Sequence, residues 1–253
     1  MASRIKSRRR ALFVLAMSET FPSFAEFRRL AGQGNVVPVY RPVLADLLSP
    51  VAAFLKLAPQ SSQAVSQNKP VKKSYSFLLE SVEGGEHVGR FTFFGVDPFQ
   101  VISSRGMEIR VERNGKRAEE RGNIFDYLRE EGRRYHPVKV AGLPPFSAGA
   151  VGYLAHEVVR LIEKLPPRVE PDVDMDDALF MYFTELAAFD HVQHQLYLIS
   201  NVLTEQNPGS LRSKYDAAAR RLDRMERALG APLAARRKAA PRGPLRVRSN
   251  MTQ

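Results

Sequence analysis

The chain has 253 residues, 44% hydrophobic and 26% charged, with no cysteine and no tryptophan. Such a length can bury the core of one large domain or two small ones; without cysteine there are no disulfides, thiolate metal sites or cysteine nucleophiles, and with no apolar run of spanning length the expected compartment is the cytoplasm, with no membrane partner. The net charge of +11 lies in the ends, because residues 1–10 carry +5, residues 231–253 carry +6 and the 220 between them balance to zero, so the basicity reads as solvated tails and no nucleic-acid partner is expected.

Residues 1–16 read as a basic extension. The apolar stretch Ala11–Ala16 is at the short limit for a signal peptide and Met17-Ser-Glu-Thr follows it without a clear cleavage site, so Met17 reads as the start. Ser23 and Glu26 have capping-box spacing ahead of a helix through Phe24, Phe27 and Leu30 that stops at Gly32. A strand is expected through Val36 to Tyr40, and Ser49-Pro50 opens a second helix with Phe54 and Leu57 on its apolar side. Residues 59–73, rich in Ser, Gln and Lys, read as a surface loop.

Two β-rich runs then flank Gly84-Gly85, and a turn centred on that pair sets Ser81 opposite Val88 and Leu79 opposite Arg90. Ser81 and Arg90 would share a face with Phe77 and Leu79. That face serves either as a half-buried strand or as a pocket for a small zwitterion, with apolar residues taking its side chain and Arg90 its carboxylate.

Further strands are expected at Phe99–Ser103 and Met107–Glu112, the second ending in an Asn114-Gly115 turn, and Asn123 can cap a helix carrying Ile124 and Leu128. The small residues of Pro144–Tyr153 allow one backbone to approach another closely. Glu170–Asp177 is an acidic run without the spacing of a calcium loop and reads as solvated. Asp177–Asp190 and Gln195–Ser200 read as a pair of strands around a polar turn. His191, His194 and His156 lack the carboxylate pattern of a metal site. Leu211, Tyr215, Ala218, Leu222, Met225 and Leu229 mark an amphipathic helix ending at Gly230, and residues 231–253 read as a linker. The fold class is α+β, with antiparallel sheets built from hairpins, packed as a sandwich with flanking helices.

The segments Leu78-Leu-Glu-Ser-Val-Glu-Gly-Gly85 and Gly89-Arg-Phe-Thr-Phe-Phe-Gly95, with Pro144–Tyr153, Asp177–Asp190 and Ser249-Asn-Met-Thr-Gln253, resemble the N-terminal region of anthranilate synthase component I. Where that family usually carries Gly-Tyr-Asp, this chain has Ala155-His156-Glu157. The resemblance covers nearly all of residues 20–253 but only about the first half of the family protein. It implies an incomplete form of that fold: a tryptophan-binding, regulatory domain over residues 17–230, leading through 231–253 to a chorismate-binding domain absent from this chain. It places contacts to the inhibitor L-tryptophan on Glu80 and Ser81, with Arg90 where the family has a basic residue. The implied reaction converts chorismate and ammonia to anthranilate and pyruvate, the ammonia coming from a glutamine amidotransferase subunit. Magnesium and the catalytic groups belong to the absent half, so no catalytic residue or metal ligand is assigned here. The related aminodeoxychorismate synthase large subunit and a stand-alone amino-acid-binding module are the alternatives.

Overall fold

A computed structural model describes residues 19–58, 75–80, 89–166, 174–205 and 209–233. The basic extension, the loop 59–73, Ser81, the Gly84-Gly85 turn, the first half of the acidic run and the linker motif Ser249–Gln253 lie outside the described residues.

The elements, in order, are α1 (Phe24–Leu30), β1 (Val36–Leu44), α2 (Pro50–Leu57), β2 (Ser76–Glu80), β3 (Phe91–Val96), β4 (Gln100–Arg105), β5 (Glu108–Arg113), β6 (Lys116–Arg121), α3 (Ile124–Arg133), β7 (Gly149–Leu154), a 3-10 turn (His156–Leu161), β8 (Ala178–Phe183), β9 (Glu185–Asp190), β10 (Gln195–Leu203) and α4 (Leu211–Gly230). The strands form two five-stranded antiparallel sheets, in the orders β1-β10-β9-β3-β2 and β6-β5-β4-β8-β7. This is the expected α+β sandwich.

Local chemistry accounts for most of the boundaries. Ser49 Oγ accepts the Ala52 N–H at 3.2 Å with Pro50 at the first helical position, and Asn123 Oδ1 accepts the Phe125 N–H at 2.9 Å. Ser23 Oγ accepts the Glu26 N–H at 3.3 Å, but the Glu26 carboxylate is bonded to Arg29 at 3.0 Å, so the expected capping box forms only by half. Asn114 and Gly115 both take positive φ, as a two-residue hairpin turn requires. Pro38 and Pro42 sit in β1, at the edge of its sheet, where a missing N–H is tolerated.

Alternation along the strands produces four layers. The helices α1, α2 and α4 cover one face of the first sheet, burying Phe27, Val37, Val39, Phe94, Leu198 and Leu222. Between the sheets lie Phe77, Val101, Phe183, Leu186, Ala188, Tyr197 and Ile199. On the outer face of the second sheet α3 and the 3-10 turn bury Ile102, Ile109, Ile124 and Val158. In β7, Gly152 serves the close approach expected of the small residues: a Cβ there would lie 1.9 Å from the Leu179 carbonyl oxygen.

Two expectations are corrected. The run Asp177–Asp190 is not one strand: it breaks at Thr184, with β8 pairing to β4 and β7 in the second sheet and β9 to β10 and β3 in the first. The hairpin register is also different. Leu79 faces Phe93, and Glu80 faces Thr92. Phe77 lies opposite Gly95, where a Cβ would stand only 2.6 Å from its ring. A register with Leu79 opposite Arg90 would set Phe77 against Thr92 and turn the Phe93 side toward the helices. Packing between the sheets, rather than the diglycine, fixes the pairing.

Candidate functional site: the charged end of the first sheet

Glu80 and Thr92 are paired, Phe91 is paired with Asp190, Asp190 with Gln195, and Gln195 with Leu44. These pairs define one end of the first sheet, and Arg90 immediately precedes β3 there. The Arg90 guanidinium donates from Nε to both Asp190 oxygens at 3.2 Å and from Nη2 to Oδ2 at 2.7 Å, and lies 4.9 Å from the centre of the Phe91 ring. Asp190 Oδ1 also accepts the backbone N–H groups of Val192 (3.0 Å) and Gln193 (3.1 Å), so one carboxylate heads the β9–β10 turn and anchors Arg90.

Burial pushes the Asp190 carboxyl upward, but the Arg90 bond and the two backbone donors together overcome it and hold the group below its ordinary value. Beside it, Thr92 Oγ1 and His191 Nε2 share a hydrogen bond of 2.8 Å, and the His191 backbone N–H donates to the Arg90 carbonyl at 2.9 Å. The Tyr197 hydroxyl donates to Gln193 Oε1 at 3.0 Å. From this end a run of rings enters the space between the sheets: Phe91 to Phe93 (5.8 Å), Phe93 to Phe146 (5.6 Å), Phe146 to Phe77 (6.3 Å) and Phe77 to Phe183 (5.0 Å).

The residues singled out in the sequence fare differently. Glu80 is exposed and shares the Leu78 and Thr92 face, the side opposite Phe77 and Leu79. Arg90 does not stand free to take a carboxylate, since Asp190 occupies Nε and Nη2; the side chain is still 38% exposed and no hydrogen bond engages Nη1 among the described residues. Ser81 lies outside the described residues. Phe146, from the small-residue stretch, does come against Phe77 and Phe93. His191 bonds Thr92 and His194 takes a left-handed turn conformation. Asp190 was missed by sequence reasoning, although an aspartate closing a strand before a polar turn is a recognisable turn-heading signal.

No family model matches the chain. It is 37% identical over 214 residues to anthranilate synthase component 1 of Synechocystis sp., covering 84% of this chain and 40% of that protein. This stretch belongs to the anthranilate synthase component I family. The component 1 proteins of Acetivibrio thermocellus (30% over 208 residues) and Mycolicibacterium smegmatis (36% over 220 residues) are matched across 82% and 86% of the chain, and 39% and 40% of their own lengths. The chain thus spans about two fifths of the curated relatives it matches. A crystal structure of anthranilate synthase component I from Streptococcus pneumoniae aligns with a TM-score of 0.45 at 20% identity, over 75% of this chain and 37% of that one. No helix among the described residues is long and apolar enough to cross a membrane.

Proposed function

We propose that this stretch is the N-terminal, tryptophan-binding part of an anthranilate synthase component I. The complete enzyme, with a glutamine amidotransferase subunit, would convert chorismate and glutamine-derived ammonia to anthranilate and pyruvate. The observation that carries the reading is 30–37% identity to component 1 proteins across more than four fifths of the chain.

At the charged end of the first sheet, the rings of Phe93 and Phe146 offer an apolar wall for an indole. The outer edge of Arg90 remains for a carboxylate once Asp190 has fixed its plane; exposed Glu80 lies on the opposite face of β2 from these rings, so its carboxylate would meet an ammonium only around the free edge of that strand. Ser81, adjoining Glu80 in the chain, completes the proposed contacts. Among the described residues no group of three or more His, Cys, Asp or Glu is arranged to hold a metal ion. In this reading magnesium and the reacting groups belong to residues outside this stretch, and residues 231–253 lead toward them. Tryptophan bound here would favour a conformation less competent in the chorismate-binding part, and chorismate would weaken tryptophan by the same factor.

Titration calorimetry of the chain with L-tryptophan tests the regulatory half of this proposal. Saturable binding is expected, weakened at least about tenfold in Ser81→Phe, which fills the proposed pocket; in the complete enzyme the same variant should form anthranilate with reduced sensitivity to tryptophan. No saturable binding by the wild-type chain would remove the inhibitor site from it.

A further inference from the structure

The Arg90–Asp190 pair is neutral as a unit, and its two members are unequally accessible. The Asp190 side chain is 2% exposed, with Oδ2 engaged by Arg90 Nη2 and Nε and Oδ1 by Nε and the two turn N–H groups. A ligand at this end therefore meets Arg90 and not Asp190. Because Asp190 occupies the Nε–Nη2 edge of the planar guanidinium, the edge formed by Nη1 and the second Nη2 hydrogen is left for a carboxylate. A carboxylate docked there has the guanidinium between itself and Asp190.

The pair adjoins the apolar wall on one face. Phe91 is paired with Asp190, and Phe93 follows two residues on, so both rings and the aspartate project from the sheet toward the second sheet. The guanidinium lies 4.9 Å from the centre of the Phe91 ring, and that ring 5.8 Å from Phe93. Leu79, opposite Phe93 and largely exposed, adds apolar surface on the same face. Glu80 and the Thr92–His191 bond belong to the other face. Asp190 is ionised at neutral pH, since Arg90 and the turn donors hold its carboxyl below the ordinary value against the effect of burial.

We infer that Asp190 sets the charge class of the ligand at this end: by cancelling Arg90 it shifts selection from an aromatic monoanion toward an aromatic zwitterion. The inference rests on the proposed tryptophan site. Both ligands offer a carboxylate to Arg90, but only the zwitterion carries an ammonium, whose repulsion by Arg90 is offset by attraction to Asp190. Asp190 thus determines specificity without touching the ligand. A unit charge roughly 7 Å from the ammonium, in surroundings between a protein surface and water, is worth about three- to tenfold in relative affinity.

Calorimetric titration of the full 253-residue chain with L-tryptophan and with indole-3-propionate, which keeps the ring and carboxylate but lacks the ammonium, reads this as a ratio of two Kd values. Asp190→Asn keeps the shape and an acceptor for the turn N–H groups while removing the charge, and should lower the preference for L-tryptophan about threefold or more. Arg90→Gln should weaken both ligands yet raise that preference. Both shifts should shrink at about 1 M salt, where the Debye length is ~3 Å; a loss of local structure alone would not move the ratio in opposite directions in the two variants. No saturable L-tryptophan binding by the wild-type chain overturns the proposed site and this inference with it. L-Tryptophan binding with a ratio unmoved or raised in Asp190→Asn overturns the inference alone. Should Asp190→Asn fail to fold, Arg90→Gln decides, and a preference that falls or stays the same there overturns the inference.

Discussion

The two ends of β9 carry carboxylates in opposite conditions. Glu185, at its start, turns toward α4 and meets Arg221 at 3.0 Å; burial is the dominant influence and its carboxyl is held above the ordinary value despite that partner. Asp190, at its end, is held below its ordinary value, because Arg90 meets it through two nitrogens and two backbone N–H groups of the turn point at Oδ1. Each carboxylate has an arginine, so proximity of opposite charge does not explain the difference. The heavier desolvation of Glu185 and the greater number of donors on Asp190 do.

The largest expected effect is that of Asp190→Ala, which strands two turn N–H groups and releases Arg90. A loss of about 3 kcal/mol at pH 7 is expected from urea unfolding. Glu185→Ala should cost distinctly less; equal losses would break the contrast.

The next effect is on pH dependence. Asp190, depressed in the fold, contributes stability that is present above its ordinary value of 3.8 and is lost as pH falls through the lower folded value. Arg90→Gln should flatten that acid limb in urea midpoints measured from pH 3 to 7. An unchanged limb would mean that the backbone donors alone hold the carboxylate ionised.

The smallest effect belongs to Glu185→Gln. Because Glu185 is raised above its ordinary value of 4.5, its ionisation in the fold costs stability as pH rises from that value through the folded one. The variant should lose less stability than wild type between pH 4 and pH 7, with a difference of about 0.5 kcal/mol or less from wild type at pH 7. A large destabilisation at pH 7 would show that the Arg221 pair outweighs its desolvation.

Much of this arrangement was legible in the sequence wherever the cause was local. Ser49-Pro50, Asn114-Gly115 and the spacing from Leu211 to Leu229 each act within a turn or two of chain, and each gave the element expected. What escaped depended on distant contacts. The glycine pair suggested a hairpin centre, but Phe77 against Gly95 between two sheets set the register. Thr184 and Glu185 are a brief polar interruption in an otherwise apolar run, and only the existence of two sheets makes Thr184 a corner. β6, Lys116–Arg121, has every residue exposed and no alternation to read; its charges suit the edge position it occupies. The charged end was half legible, since Glu80 and Arg90 were found by wording, whereas the partner that fixes Arg90 lies 100 residues away.

The pairing of Val36 with Leu203 also sets a schedule. The partner of β1 emerges 167 residues after it, which at ~5–20 residues per second is roughly 10–30 s of synthesis. Throughout that interval an apolar, β-prone strand is made and waiting. Pro38 and Pro42, which remove N–H groups from its edge in the finished sheet, also make it a poor template for another nascent chain on the same ribosome cluster. The two prolines thus protect the protein at an age when the structure that tolerates them does not yet exist.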